Sequence, residues 1–157
     1  MIICLGDFQL YGEIAWSLLA ENPDWRSLNI QNAKRTTALI VAVMNNVDSQ
    51  FIRALVVFGS YISLADSMGN NAIHYAVRIG DANILNALIR PMECKEIELA
   101  KYCNPNSIQY LNEQQSILRA ALGNMNSEGK TPLKLALTLS NQGIKQILME
   151  IESELRR

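Results

Sequence analysis

His74 is the only histidine in the chain, so any acid–base or nucleophilic scheme that needs an imidazole must use it. A dyad with Cys94 or Cys103 would generate a reactive thiolate, but no local signature surrounds either cysteine. Gly129, Lys130 and Thr131 resemble the end of a phosphate-binding loop, whose backbone N–H groups cradle an anion. The spacing does not fit, because Gly123 and Gly129 enclose five residues where that loop has four. Glu128 also stands where a phosphate would need positive surroundings. The carboxylates Asp7, Glu13, Asp24, Asp48 and Asp66 have no spacing that pairs them on one helical face, and most read as solvated or capping groups. No constellation of His, Cys and acidic residues has metal-ligand spacing. The residues therefore offer no catalytic set, no cofactor site and no metal site, and the chain is not expected to be an enzyme.

The composition narrows the partners as well. With 157 residues, 49% of them apolar and 18% charged, the chain can bury one substantial core and is not a disordered segment. Its formal net charge is −1, with Lys and Arg dispersed, which argues against nucleic-acid and anionic-membrane binding. Cys4, Cys94 and Cys103 are an odd number without a CxxC pair, so reduced thiols and a cytoplasmic location are expected. The first residues lack the basic flank and length of a secretory signal, and no apolar run reaches the length of a membrane span.

What remains is a pattern of elements. Three segments align: Asn32, Thr37, Ala38, Leu39 and Ala42; then Asp66, Gly69, Asn71, Ala72, Ile73 and Ala76; then Asn126, Gly129, Thr131, Pro132, Leu133 and Ala136. Each has a polar opener, a tight turn, a capping residue and an Ala at a fixed offset. An apolar set at helical spacing follows each one: Phe51, Ile52, Leu55 and Val56; Ile84, Leu85, Leu88 and Ile89; Ile144, Ile147, Leu148 and Ile151. Thr37, Asn71 and Thr131 can cap orphan N–H groups at a helix start. Ala42, Ala76 and Ala136 suit places where neighbouring helices press together. Gly59 suits the left-handed position that ends a helix.

This pattern resembles the ankyrin repeat, whose period is about 33 residues; the first two openers are 34 apart. The resemblance implies an all-α solenoid of stacked helix-turn-helix pairs with short hairpin fingers, spanning residues 1–157 as a single domain. It also implies that His74 ties adjacent fingers together by hydrogen bonding. Residues 32–65 and 66–90 read as two repeats and 126–157 as a C-terminal capping repeat, with Glu150, Glu152, Glu154, Arg156 and Arg157 turned outward. Residues 1–31 read as a partial first repeat, with Ile14, Leu18 and Leu19 on an outer helix and barely a turn, 1–6, before it. Sixty residues separate Asp66 from Asn126 with no motif between them. Residues 91–125 keep helical spacing on either side of a break at 103–107, and Arg90 and Pro91 replace the usual Gly turn. This stretch is expected either to be a degenerate repeat that lost its finger, which would notch the binding face, or to be an insertion that leaves the stack.

In the family, partners bind the fingertips and the exposed edge of the inner helices. Transferred here, the fingertips are Ala33, Lys34 and Thr36; Ser67, Met68 and Asn70; and Ser127, Glu128 and Lys130. The helix edge is Met44 and Asn45, Arg78 and Ile79, and Thr138 and Leu139. Met44, Ile79 and Leu139 form a row of apolar side chains rimmed by polar ones, with Met68 near it, as an interface requires. The resemblance thus implies a protein–protein interaction module of adaptor or inhibitor type. The alternatives are a regulatory or docking domain of a larger enzyme or channel, or a bacterial effector acting in a host cytosol. The partner's identity and the oligomeric state are not legible.

Overall fold

The computed structural model describes residues 25–103 and 107–157. The helix expected over 14–19, the turn before it and Cys4 lie outside these residues. Among the described residues there are eight α-helices, one 3-10 helix (Trp25–Asn29) and one isolated antiparallel bridge, Ala65 with Asn71. The helices are α1 (Ala38–Met44), α2 (Ser49–Val57), α3 (Ala72–Ile79), α4 (Ala82–Ile89), α5 (Cys94–Cys103), α6 (Ser107–Gly123), α7 (Pro132–Thr138) and α8 (Gln142–Arg156). None is long and apolar enough to cross a membrane.

Each finger is built by the same local chemistry. The opening Asx side chain accepts two backbone N–H bonds and closes the turn: Asn32 from Lys34 and Thr36, Asp66 from Met68 and Asn70, Asn126 from Glu128 and Lys130, all at 2.9–3.0 Å. The turn needs one left-handed residue. Gly69 (φ 75°) and Gly129 (φ 69°) supply it in the second and third fingers, and Arg35 (φ 58°) supplies it in the first. The capping residues act as their types require. Thr37, Asn71 and Thr131 accept from the N–H three residues on, at 3.2–3.3 Å.

The inner helices α1, α3 and α7 stack in that order, with Ala42, Ala76 and Ala136 all buried between them. The fingers stack in the same order. The Ser67 N–H donates to the Lys34 carbonyl at 3.0 Å, and the Ser127 N–H to the Met68 carbonyl at 2.8 Å. A Cβ on Gly69 would lie 2.9 Å from Asn126 Cα, so the second finger approaches the third too closely for any side chain there. The second and third motif-bearing repeats are therefore direct neighbours, and the notch expected between them is filled. Residues 91–125 are not interposed in the inner stack, because the finger at 126–130 bonds directly to the second finger and α7 packs directly on α3.

Helices α5 and α6 pack instead on the outer side. α5 lies against α2, while α6 lies against α7 and α8. Arg53 of α2 is nine-tenths buried or more and holds the junction. Its Nε and one terminal nitrogen donate to Glu96 of α5 at 2.8 and 2.6 Å. Its remaining N–H groups reach the carbonyls of Ala87, Arg90 and Pro91 at 3.0–3.1 Å, which caps the end of α4. Burial works to raise the Glu96 carboxyl, but the Arg53 bonds, the Glu93 N–H and the Arg90 charge outweigh it and hold it below the usual range. Tyr110 of α6 stacks on Tyr61 with centroids 5.6 Å apart and donates to the Val56 carbonyl at 2.7 Å. Here α8 meets α4 less closely than α4 meets α2. A cleft of about 470 Å³ opens between them, lined by Leu88, Ile89, Tyr110, Leu118 and Ile151.

Candidate protein-binding surface

The three fingers and the free edge of α1, α3 and α7 form one continuous inner face. Backbone bonds hold its fingers in register, and in the second repeat a side chain also holds the finger to its helix. The phenol of Tyr75 in α3 donates to Asp66 Oδ2, tying the second finger to the helix that follows it. Burial, then the Asp66 bond and charge, raise the Tyr75 phenol above its ordinary range, so it stays protonated and can donate.

His74 is completely buried, with both ring nitrogens engaged. Nε2 lies 3.0 Å from the Lys130 carbonyl, which can only accept, so this nitrogen carries the proton. Nδ1 then accepts the Asn71 N–H at 3.2 Å, completing a capping box at the start of α3, and also lies 2.9 Å from Asn71 Oδ1. Burial lowers the His74 imidazole below its ordinary range, with the nearby Arg78 charge acting in the same direction; the Lys130 bond and Asp66 oppose it. The ring thus ties the second repeat to the third finger. A buried imidazole with both nitrogens occupied cannot relay protons to a thiol at the surface. Cys94 is exposed and free, and among the described residues no three His, Cys, Asp or Glu side chains cluster to hold a metal.

Most residues expected on the face are presented there. Met44 is 50% exposed, Met68 56%, Ile79 38% and Leu139 48%, so neighbouring helices do not shield this row. Lys34, Asn45, Arg78, Glu128 and Thr138 are exposed, as are Ala33, Ser67 and Ser127; Thr36 and Lys130 are half-buried. Two of them are engaged by their own helix. Asn45 donates to the Val41 carbonyl at 2.8 Å, and Thr138 donates to the Leu135 carbonyl at 2.7 Å. Asn70 is a correction. It is buried, and its carbonyl oxygen accepts from the Asn126 side chain at 3.1 Å, so it joins two fingers and is withheld from a partner.

The charged groups form a small network. Glu128 lies 3.0 Å from the Lys130 ammonium and 3.4 Å from the Arg78 guanidinium. The Lys130 hydrogen bond and charge, with Arg78 behind them, hold the Glu128 carboxyl below its usual range. Two contributors were missed from sequence. Val41, 44% exposed, belongs to the apolar row, and helical spacing of Val41, Met44 and Asn45 could have revealed it. Arg35 is exposed at the first fingertip, and its place where the other fingers have Gly was the available signal.

Comparison with known proteins agrees with this geometry. A family model described as ankyrin repeats, in three copies, matches residues 2–103, about two-thirds of the chain. The match ends before the third finger, whose hydrogen bonds to the second place it in the same array. No curated protein matches the chain.

Proposed function

Because this chain belongs to the ankyrin-repeat family, an interaction fold without a catalytic centre of its own, we propose that it holds a partner protein on the inner face as an adaptor or inhibitor. One observation carries the reading. Val41, Met44, Met68, Ile79 and Leu139 are each well exposed on that face, while equivalent aliphatic positions turned toward the stack, such as Val43 and Val77, are wholly buried. Water contact at these side chains is unfavourable by about 25 cal/mol per Å² of apolar surface, and a docked partner would remove it.

The partner-contacting set is Lys34, Arg35, Thr36, Val41, Met44, Asn45, Met68, Arg78, Ile79, Glu128, Lys130 and Leu139. The odd cysteine count without a CxxC pair supports a reducing compartment such as the cytoplasm. The test is affinity purification from the native cell with the intact chain, followed by the same experiment with Met44→Asp and Ile79→Asp together. These surface changes should leave the melting temperature near its original value and abolish capture of the specific partner. A partner retained at full yield by the double variant would refute the surface.

A further inference from the structure

The charges of the inner face are unevenly distributed. The fingers and the α1, α3 and α7 edge carry Lys34, Arg35, Arg78 and Lys130, while the chain as a whole has a formal net charge of −1. Glu128 is the only exposed carboxylate among them. Asp66, the other acidic residue of the fingers, is buried with its oxygens taken by Met68 N–H, Asn70 N–H and the Tyr75 hydroxyl. The remaining described acids lie elsewhere, at the starts of α2 and α4, on α5 and α6, and along α8. Lys34 and Arg35 have no ion pair among the described residues.

Two further observations sharpen this asymmetry. Arg35 occupies a left-handed backbone position, which disfavours a side chain by roughly 1–2 kcal/mol, while the two other fingers place Gly there. The fold therefore tolerates a guanidinium at this tip against its local backbone preference. At the other end, Glu128 sits across Arg78 and Lys130, all three partly exposed, in the position a partner's carboxylate would take.

We propose that the inner face takes an acidic segment of the partner protein. Its carboxylates meet Lys34 and Arg35 at one end and Arg78 and Lys130 at the other, and its apolar side chains rest on Met44, Met68 and Ile79. Glu128 is the internal competitor for the second pair of cations. This inference rests on the docking surface proposed above and names the chemistry of its occupant. Exposed pairs of this kind are individually weak and screened by salt, so they set specificity and association rate more than total affinity.

The experiment is selection of short random peptides on the intact chain at low salt. The most enriched peptide is then measured by fluorescence anisotropy. The expected outcome is enrichment of Asp and Glu interleaved with aliphatic residues. Binding should weaken about tenfold in Lys34→Glu, Arg35→Glu and tighten about threefold in Glu128→Gln, the range that one or two exposed charge pairs supply. Affinity should also fall as NaCl is raised. If selected peptides lose binding in the Met44→Asp, Ile79→Asp variant but carry no acidic bias and ignore the charge changes, the acidic occupant is wrong and the docking face stands. If they bind that variant unchanged, or if no peptide is enriched, the docking face falls too. Displacement of the acidic peptide by a single-stranded DNA oligonucleotide at equal concentration would show a general polyanion site and overturn the proposal.

Discussion

The inner and outer sides of this molecule obey different rules. On the inner side, fingers and helices repeat one set of interactions, and Ser67 to Lys34 is followed by Ser127 to Met68 as if nothing separated the second and third repeats. On the outer side that regularity stops after α4, and a helical pair of unrelated pattern is fastened by Arg53, Glu96 and Tyr110. The contrast teaches where a repeat array carries its order. Fingers and inner helices are joined by short backbone and alanine contacts that admit almost no variation. The outer-helix exit tolerates thirty or so extra residues provided that they bring their own attachment. The inner face can thus stay continuous while the back of the molecule departs from the pattern.

The largest expected effect attacks the outer fastening. Arg53→Ala leaves the Glu96 carboxylate buried with Arg90 as its remaining ion-pair partner and should cost about 3–5 kcal/mol by chemical denaturation. Replacing both partners by apolar residues (Arg53→Met, Glu96→Leu) should recover only part of that loss, because the Ala87, Arg90 and Pro91 carbonyls still lack their donor. Hydrogen exchange should show α5 and α6 losing protection while α3 and α7 keep theirs; uniform loss would erase the distinction between the two sides.

The next test is on the inner side. Gly69→Ala meets Asn126 Cα at 2.9 Å as well as adopting a left-handed backbone, and should destabilise by roughly 2 kcal/mol or more. Gly129→Ala shares the backbone conformation but has open space, so only about 1 kcal/mol is expected. Equal losses at the two glycines would mean that the finger-to-finger contact is not the constraint inferred.

A pH series reads the same contact through His74. Its imidazole titrates lower in the folded state than in the unfolded chain. Stability should be level above pH ~6.5 and fall below it, because the unfolded chain takes up a proton that the buried ring refuses. The slope is at most about 1.4 kcal/mol per pH unit. It should vanish between roughly pH 6.5 and 5 in His74→Gln. Glu96, whose carboxyl is held low, adds its own loss only at more acidic pH, where the unfolded chain takes up a proton that the folded carboxylate still resists. The smallest effect has the opposite sign. Arg35→Gly should stabilise by up to about 1 kcal/mol by relieving the left-handed backbone, while weakening the acidic peptide.

These differences also explain what the sequence revealed. The Asx opener, the Gly turn, the capping Thr or Asn and the Ala were readable because each acts within a few residues of itself. The role expected of His74 was readable for the same reason on the capping side, and through the family resemblance on the Lys130 side. Whether 91–125 joined the stack was not readable, since Arg53 meets Glu96 from 43 positions away and Tyr110 meets Val56 from 54. Nothing local marks such a pair. Asn70 was misplaced on the surface because its alignment position gave the turn but not the direction of its amide, which the neighbouring Asn126 decides.

The direct contact of the second and third fingers also bears on how the chain folds. The first two fingers join residues 33 positions apart, Lys34 and Ser67, whereas Met68 and Ser127 are 59 apart. Closing the longer loop costs only about 0.5 kcal/mol more chain entropy, since that penalty grows with the logarithm of length. The third repeat can therefore dock once a single turn of contacts at Gly69 and Asn126 is available, before the back of the molecule is in order. Refolding followed by pulsed hydrogen exchange should find the amides of α3 and α7 protected together, with those of α5 and α6 joining in a later phase.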